Sequence, residues 1–167
     1  MPANIEIEYF GVYGRAECTK MMLAYLGVPF TDVNITNWAE VKGDTEKYAF
    51  GCMPVVVADG MRFGQTRSQM RMLATCAGIY NPADPKGAYA ADNLMDQWDG
   101  VLCAKGLEGM TAALDTLLRI ADKQMSNNKW SYVAGNKAGP ADFCVSHFML
   151  NMVRAGDKVD AEKKAAF

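Results

Sequence analysis

The residue types with the most chemical promise lie between Phe50 and Ser68. Phe50-Gly51-Cys52-Met53-Pro54-Val55-Val56-Val57 is followed by Asp59-Gly60 and then by Gln65-Thr66-Arg67-Ser68. A proline opens an apolar strand, a tight turn follows, and a polar pair opens a helix. Pro54 has no N–H and the bond before it can be cis, which leaves the Met53 backbone able to face a ligand with a peptide backbone of its own. Thr66 at a helix N-terminus offers hydroxyl and N–H where the macrodipole favours negative charge, and Gln65 adds an amide. Together these devices can hold a small peptide-like anion, although a Thr before a helix is also an ordinary cap.

Other residues are less decisive on pattern alone. Trp38 and Lys42 share one face of a short helical segment at i, i+4 spacing, which also describes a packed tryptophan beside a solvated lysine. Tyr9 ends a strand, a place where most tyrosines are core residues with a satisfied hydroxyl. Cys18 falls inside a helical pattern with no cysteine three residues away, so a buried structural thiol is expected. His147, the single histidine, has no Cys, Asp or Glu at metal-ligand spacing, and no metal site is expected.

These residues need a frame. Ile5-Glu6-Ile7-Glu8-Tyr9-Phe10 alternates as a strand does, and a turn at Gly11 and Gly14 leads into a helical pattern from Arg15 to Leu26 that Gly27 stops. Phe30 to Ile35 predicts a second strand, Val55-Val56-Val57 a buried third, and Met61-Arg62-Phe63 a fourth joined through the hairpin signal Asp59-Gly60. A helix over Thr66 to Ala77 closes the unit. Pattern alone supports an α/β unit with a short mixed sheet.

Asn81-Pro82-Ala83-Asp84-Pro85-Lys86-Gly87 reads as a linker. The expected division is residues 1–80, a linker at 81–87, and a helical part at 88–167. In that part Ala91, Leu94, Met95, Trp98 and Leu102 recur at helical spacing, as do Ala113, Leu114, Leu117, Leu118 and Ala121. Gly139-Pro140-Ala141-Asp142 opens a last helix with Gly139 at the N-cap and Pro140 at N1, its buried side drawn from Phe143, Phe148, Met149 and Met152.

Composition narrows the function classes. Seventeen basic and nineteen acidic residues are well mixed for a net charge of −2, so there is no electrostatic footprint for nucleic acid or an anionic membrane. No apolar run approaches the ~20 residues of a membrane span and no leader pattern opens the chain. Five cysteines, odd in number and without a C-x-x-C pair, point to reduced thiols. A soluble cytoplasmic protein is expected.

Met53-Pro54 beside the Gln65-Thr66 helix start, with Tyr9-Phe10 and Gly14-Arg15-Ala16-Glu17 upstream, resembles the glutathione transferase superfamily, the sigma class in particular. Tyr132-Val133-Ala134-Gly135-Asn136 followed by Ala141-Asp142-Phe143 is similar to the family's late signature, with Gly139 in place of the usual capping Ser or Thr. The resemblance implies a thioredoxin-like N-terminal domain with a mixed four-stranded sheet, followed by an all-α domain. It also implies reduced glutathione as co-substrate and a small electrophile as its partner in reaction. Tyr9 would stabilise the glutathione thiolate with Arg15 adding positive potential, Trp38 and Lys42 would reach the glycyl carboxylate, and Met53 and Pro54 would present the backbone edge. Gln65 and Thr66 would hold the γ-glutamyl end, and Asp96 would approach the ligand's amine across a homodimer interface.

Two departures from the family are expected. The helical part is short by a few dozen residues, with its pair of long helices contracted around Lys105-Gly106-Leu107-Glu108-Gly109, and Cys52 stands where relatives often carry a Lys or Gln. Two functions follow: a glutathione transferase, or a catalytically silent structural subunit of the same fold that packs against other proteins.

Overall fold

The structure, a computed structural model, describes residues 1–152. The chain divides into two compact units, Met1–Gly78 and Ile79 onward. In the first, β1 (Ile5–Tyr9), β2 (Phe30–Asn34), β3 (Val55–Ala58) and β4 (Met61–Phe63) form one sheet in the order β2-β1-β3-β4. β1 runs parallel to β2 and antiparallel to β3, and β3 and β4 form the hairpin. Its turn residues Asp59 and Gly60 both have positive φ, 50° and 78°, the requirement of the two-residue turn that matches strand twist. The alternation in β1 is real: Ile5, Ile7 and Tyr9 are buried, Glu6 is exposed and Glu8 half-buried.

Helices α1 (Glu17–Tyr25) and α3 (Thr66–Cys76) pack against each other, and the short α2 (Trp38–Val41) comes between β2 and β3 in the chain. Met22, Leu23, Met70 and Leu73 are fully buried, each contributing about 1.5–3 kcal/mol relative to exposure. Gly27 ends α1 at φ 65°, with Val28 N–H donating to the Leu23 carbonyl and Gly27 N–H to that of Ala24, the paired closure that favours glycine. The mixed four-stranded sheet is the one expected.

Among its described residues the second unit is built of helices, with an isolated bridge between Tyr132 and Gly135 in the turn before the last of them. α4 (Pro85–Cys103) begins with Pro85 at N1 and with the Asp84 carboxylate accepting from the N–H of Lys86 and Gly87. Residues 85–87, expected in the linker, are thus its first turn. α5 (Gly106–Asn128) follows after a break confined to Ala104 and Lys105, with Gly106 at φ 70° and Gly109 inside the helix. α4 and α5 run 19 and 23 residues, so the contraction expected around Lys105–Gly109 does not come at their expense.

α6 (Pro140–His147) continues as a π-helical turn, Phe148–Met152. Trp98, Leu94 and Met95 of α4 lie in this unit's core with Phe148 and His147, and the Trp98 indole N–H donates to His147 Nδ1 at 3.3 Å. Leu102 is only half-buried, and Val101 takes the interior place instead. Met149, expected inside, is 47% exposed because the wider π-helical turn rotates it off the buried stripe. The side chain of Met152 lies outside the described residues.

Candidate functional site

Strand β1 delivers Tyr9 at its C-terminal end, on the buried face, with its carbonyl accepting the Ile35 N–H. The Tyr9 hydroxyl oxygen accepts the Arg15 N–H at 3.2 Å. Gly14 makes room for it: a Cβ there would stand 2.7 Å from the hydroxyl oxygen, so any other residue would displace the phenol. A phenol has one proton and two lone pairs. The Arg15 amide occupies a lone pair, and among the described residues nothing accepts the proton.

Trp38 is placed by a chain of rings. Tyr9 and Phe10 have centroids 5.3 Å apart, Phe10 meets Trp38 edge-on at 6.1 Å, and Trp38 meets Tyr48 edge-on at 5.0 Å. Tyr48 is anchored in turn by Arg62, whose guanidinium lies 5.6 Å from its ring centroid, pairs with Glu8 and donates through Nε to the Lys47 carbonyl at 2.9 Å. Burial pushes the Tyr48 phenol above its usual pKa, and its hydrogen bond with Glu8 adds to the rise. Lys42 caps the C-terminus of α2, its side chain exposed and its ammonium without a partner among the described residues.

The Met53–Pro54 bond is cis, and both residues are buried. Among the described residues the Met53 backbone makes no hydrogen bond. Across from it, Gln65 stands at φ 63°, a conformation that costs a non-glycine residue about 1–2 kcal/mol, with Nε2 directed to Cys52 Sγ at 3.9 Å. The Gln65 carbonyl accepts the Gln69 N–H, but no side chain caps α3. The N–H groups of Thr66 and Ser68 have no acceptor among the described residues, nor has the Thr66 hydroxyl a partner there. A helix start with open donors and a strained cap residue is a place where an anion supplies what the chain does not.

Tyr9, Arg15, Trp38, Lys42, Met53, Pro54, Gln65 and Thr66 all fall in the first unit, at or beside the ends of its strands and helices. Asp96 lies in the second unit, exposed on α4. Cys18 is fully buried, its thiol directed to the Arg15 carbonyl at 3.5 Å, which bears out the structural reading. Among the described residues, no three His, Cys, Asp or Glu side chains gather as a metal site, and no helix is long and apolar enough to cross a membrane.

Sequence reasoning passed over Gln69 and the set of Glu8, Tyr48 and Arg62. Gln69 had a usable signal, a polar residue on the face that Thr66, Met70, Leu73 and Ala74 bury. The Arg62 set had none, since it joins residues 54 positions apart through sheet pairing.

No family model matches the chain. It is 26% identical to glutathione S-transferase 4 of Caenorhabditis elegans over 174 residues, 92% of this chain and 82% of that protein. To the hematopoietic prostaglandin D synthase of Gallus gallus it is 29% identical over 98 residues, 58% of this chain and 47% of that protein. The solved structure of NaGST-2 superposes with a TM-score of 0.76 at 21% identity, covering 91% of this chain and 81% of that one, a likeness of fold.

Proposed function

We propose that this chain, glutathione-transferase-like in sequence and in fold, binds reduced glutathione in its first unit and conjugates it to small electrophiles, in the manner of the sigma class. The observation that carries this reading is the Tyr9 hydroxyl, held by the Arg15 amide with its own proton uncommitted. The thiol of glutathione gives its proton to water, and Tyr9 donates to the sulfur. The thiolate attacks the electrophilic carbon, and the leaving group departs with the electron pair of the bond that breaks. One hydrogen bond to a charged sulfur contributes about 1.5–3 kcal/mol. That lowers the thiol pKa from about 8.5 by roughly one to two units, raising the thiolate at pH 7 from about 3% to a quarter or more.

The remaining groups bind and orient. The open amides of Thr66 and Ser68 and the Thr66 hydroxyl suit the γ-glutamyl carboxylate, with Gln65 beside them. The unpaired Met53 backbone, next to Pro54, suits the ligand's own peptide groups. Trp38 and the Lys42 ammonium suit the glycyl carboxylate, and Arg15 adds positive potential near the sulfur. Asp96 is proposed to meet the ligand's ammonium from a second copy of the chain, which makes a homodimer the working unit. A cytoplasmic setting would keep the thiol reduced.

Calorimetric titration with reduced glutathione near neutral pH should show saturable binding of one ligand per chain. Conjugation to a nitroaryl halide should then fall about 10- to 100-fold in kcat for Tyr9→Phe, with glutathione KM little changed. A folded protein that takes up no glutathione sinks the binding role, and equal rates for Tyr9→Phe and parent remove Tyr9 from the chemistry.

A further inference from the structure

Gln69 is fully buried on α3, among Thr66, Met70, Leu73 and Ala74. One nitrogen, Nε2, donates to two backbone carbonyls, Pro54 at 2.8 Å and Phe63 at 2.7 Å. The amide cannot be turned over, because Oε1 would then face both carbonyls. As it stands Oε1 is buried without a partner. An apolar residue of the same size would satisfy the packing of this face without stranding an acceptor, so the carboxamide has to be explained by the two carbonyls it holds.

Those carbonyls lie where the β3–β4 ladder stops. The register pairs Val56 with Phe63 and goes no further, since Pro54, two residues back, has no N–H to give. The Gln69 amide takes the place of the missing rung and holds the two chains at one separation. On one chain the next residue back is Met53, and on the other the next forward are Gly64, Gln65 and Thr66. The two backbone elements assigned to the ligand are therefore spaced by a single side-chain nitrogen.

We propose that Gln69 is a positioning residue for glutathione, setting the distance between the Met53 backbone edge and the open start of α3. The inference rests on the binding role proposed above. A ligand that bridges both elements binds well only at the held separation, whereas Tyr9, on β1, acts on the sulfur whatever that separation is. Loss of Gln69 then shows in glutathione KM and loss of Tyr9 in kcat.

The test is Gln69→Met, which keeps length and apolar volume and removes both donors, beside Gln69→Asn, whose shorter amide reaches at most one carbonyl. Glutathione KM is expected to rise at least 10-fold in Gln69→Met and by less in Gln69→Asn, with kcat within about 2-fold of the parent. A folded variant with parental KM overturns the proposal, as does an equal loss of KM and kcat in both. Should Gln69→Met fail to fold, Gln69→Asn carries the same comparison. If the parent itself takes up no glutathione, the functional reading has failed, and amide exchange without ligand decides on Gln69. Exchange at Val56 and Phe63, the last pair of the β3–β4 ladder, at least 10-fold faster in the variant, with Leu73 and Ala74 unchanged, upholds its hold on the two segments, and unchanged exchange overturns it.

Discussion

At the start of α6 the Asp142 carboxylate accepts the N–H of Gly139 and of Val133, each at 2.9 Å, whereas at the start of α3 no side chain caps the helix and the N–H groups of Thr66 and Ser68 meet no acceptor among the described residues. α4 follows the first plan, closed by Asp84. A missing cap costs about 0.5–2 kcal/mol, and Gln65 adds the cost of its positive φ. In the second unit the starts of α4 and α6 are closed on the chain's own carboxylates, while that of α5 has no side-chain cap. In the first the chain leaves the start of α3 open and strained, and there the open donors are the groups proposed to bind an anion.

The largest effect expected from this contrast is at Asp142. Asp142→Ala frees two backbone donors at once and should destabilise the protein by about 3 kcal/mol in denaturant titration. A loss under about 0.5 kcal/mol would mean that α6 does not depend on its self-made cap. The Gly139 end of this helix was legible from sequence, because Gly-Pro-x-Asp is a local signal. That the same carboxylate would also hold Val133 was not, since Val133 sits across a turn whose shape the sequence leaves open.

Gln65→Gly should act in the opposite direction. Glycine adopts φ 63° without strain, so after its greater unfolded-state entropy is deducted the variant should gain up to about 1 kcal/mol in stability. Glutathione affinity should fall with the loss of the side-chain amide, by about 1 kcal/mol or some 5-fold. Stability rising while binding weakens would show that the strain at α3 serves the ligand. A variant that loses both would place Gln65 among residues that merely hold the fold.

How much of this was visible beforehand divides along the same line. The positions of the four strands, the Asp59-Gly60 hairpin and the glycine that ends α1 rest on local rules, and each of these elements fell within a residue or two of its expected place. Tyr9, Pro54 and Thr66 were found as residue types, because a strand end, an X-Pro step and a helix start are local too. What holds them was not legible. The Arg15 amide on the Tyr9 hydroxyl, Gln69 between Pro54 and Phe63, and Arg62 between Glu8 and Tyr48 are contacts made by chain closure. The misplaced Met149 has a similar origin, a change of helical pitch after His147 that 3.6-residue periodicity does not foresee.

The smallest effect concerns pH, and its sign tests what the closed helix start costs. Burial pushes the Asp142 carboxyl above the usual carboxylate range, outweighing the N–H donors of Val133 and Gly139, which favour the charged form. The folded protein then keeps the Asp142 proton to a higher pH than the unfolded chain does. Across that interval folding takes up a proton, so this group's contribution to stability is greatest below the ordinary aspartate pKa and declines as pH rises through the raised one. Above it the contribution is level. Thermal melts of the parent and of Asp142→Asn from about pH 4 to pH 7 isolate the effect, because the amide does not titrate there. The parent's margin over the variant should shrink with rising pH and then stay constant. A margin that grows instead would show that the two backbone donors prevail over burial, and that the cap of α6 is strongest when charged.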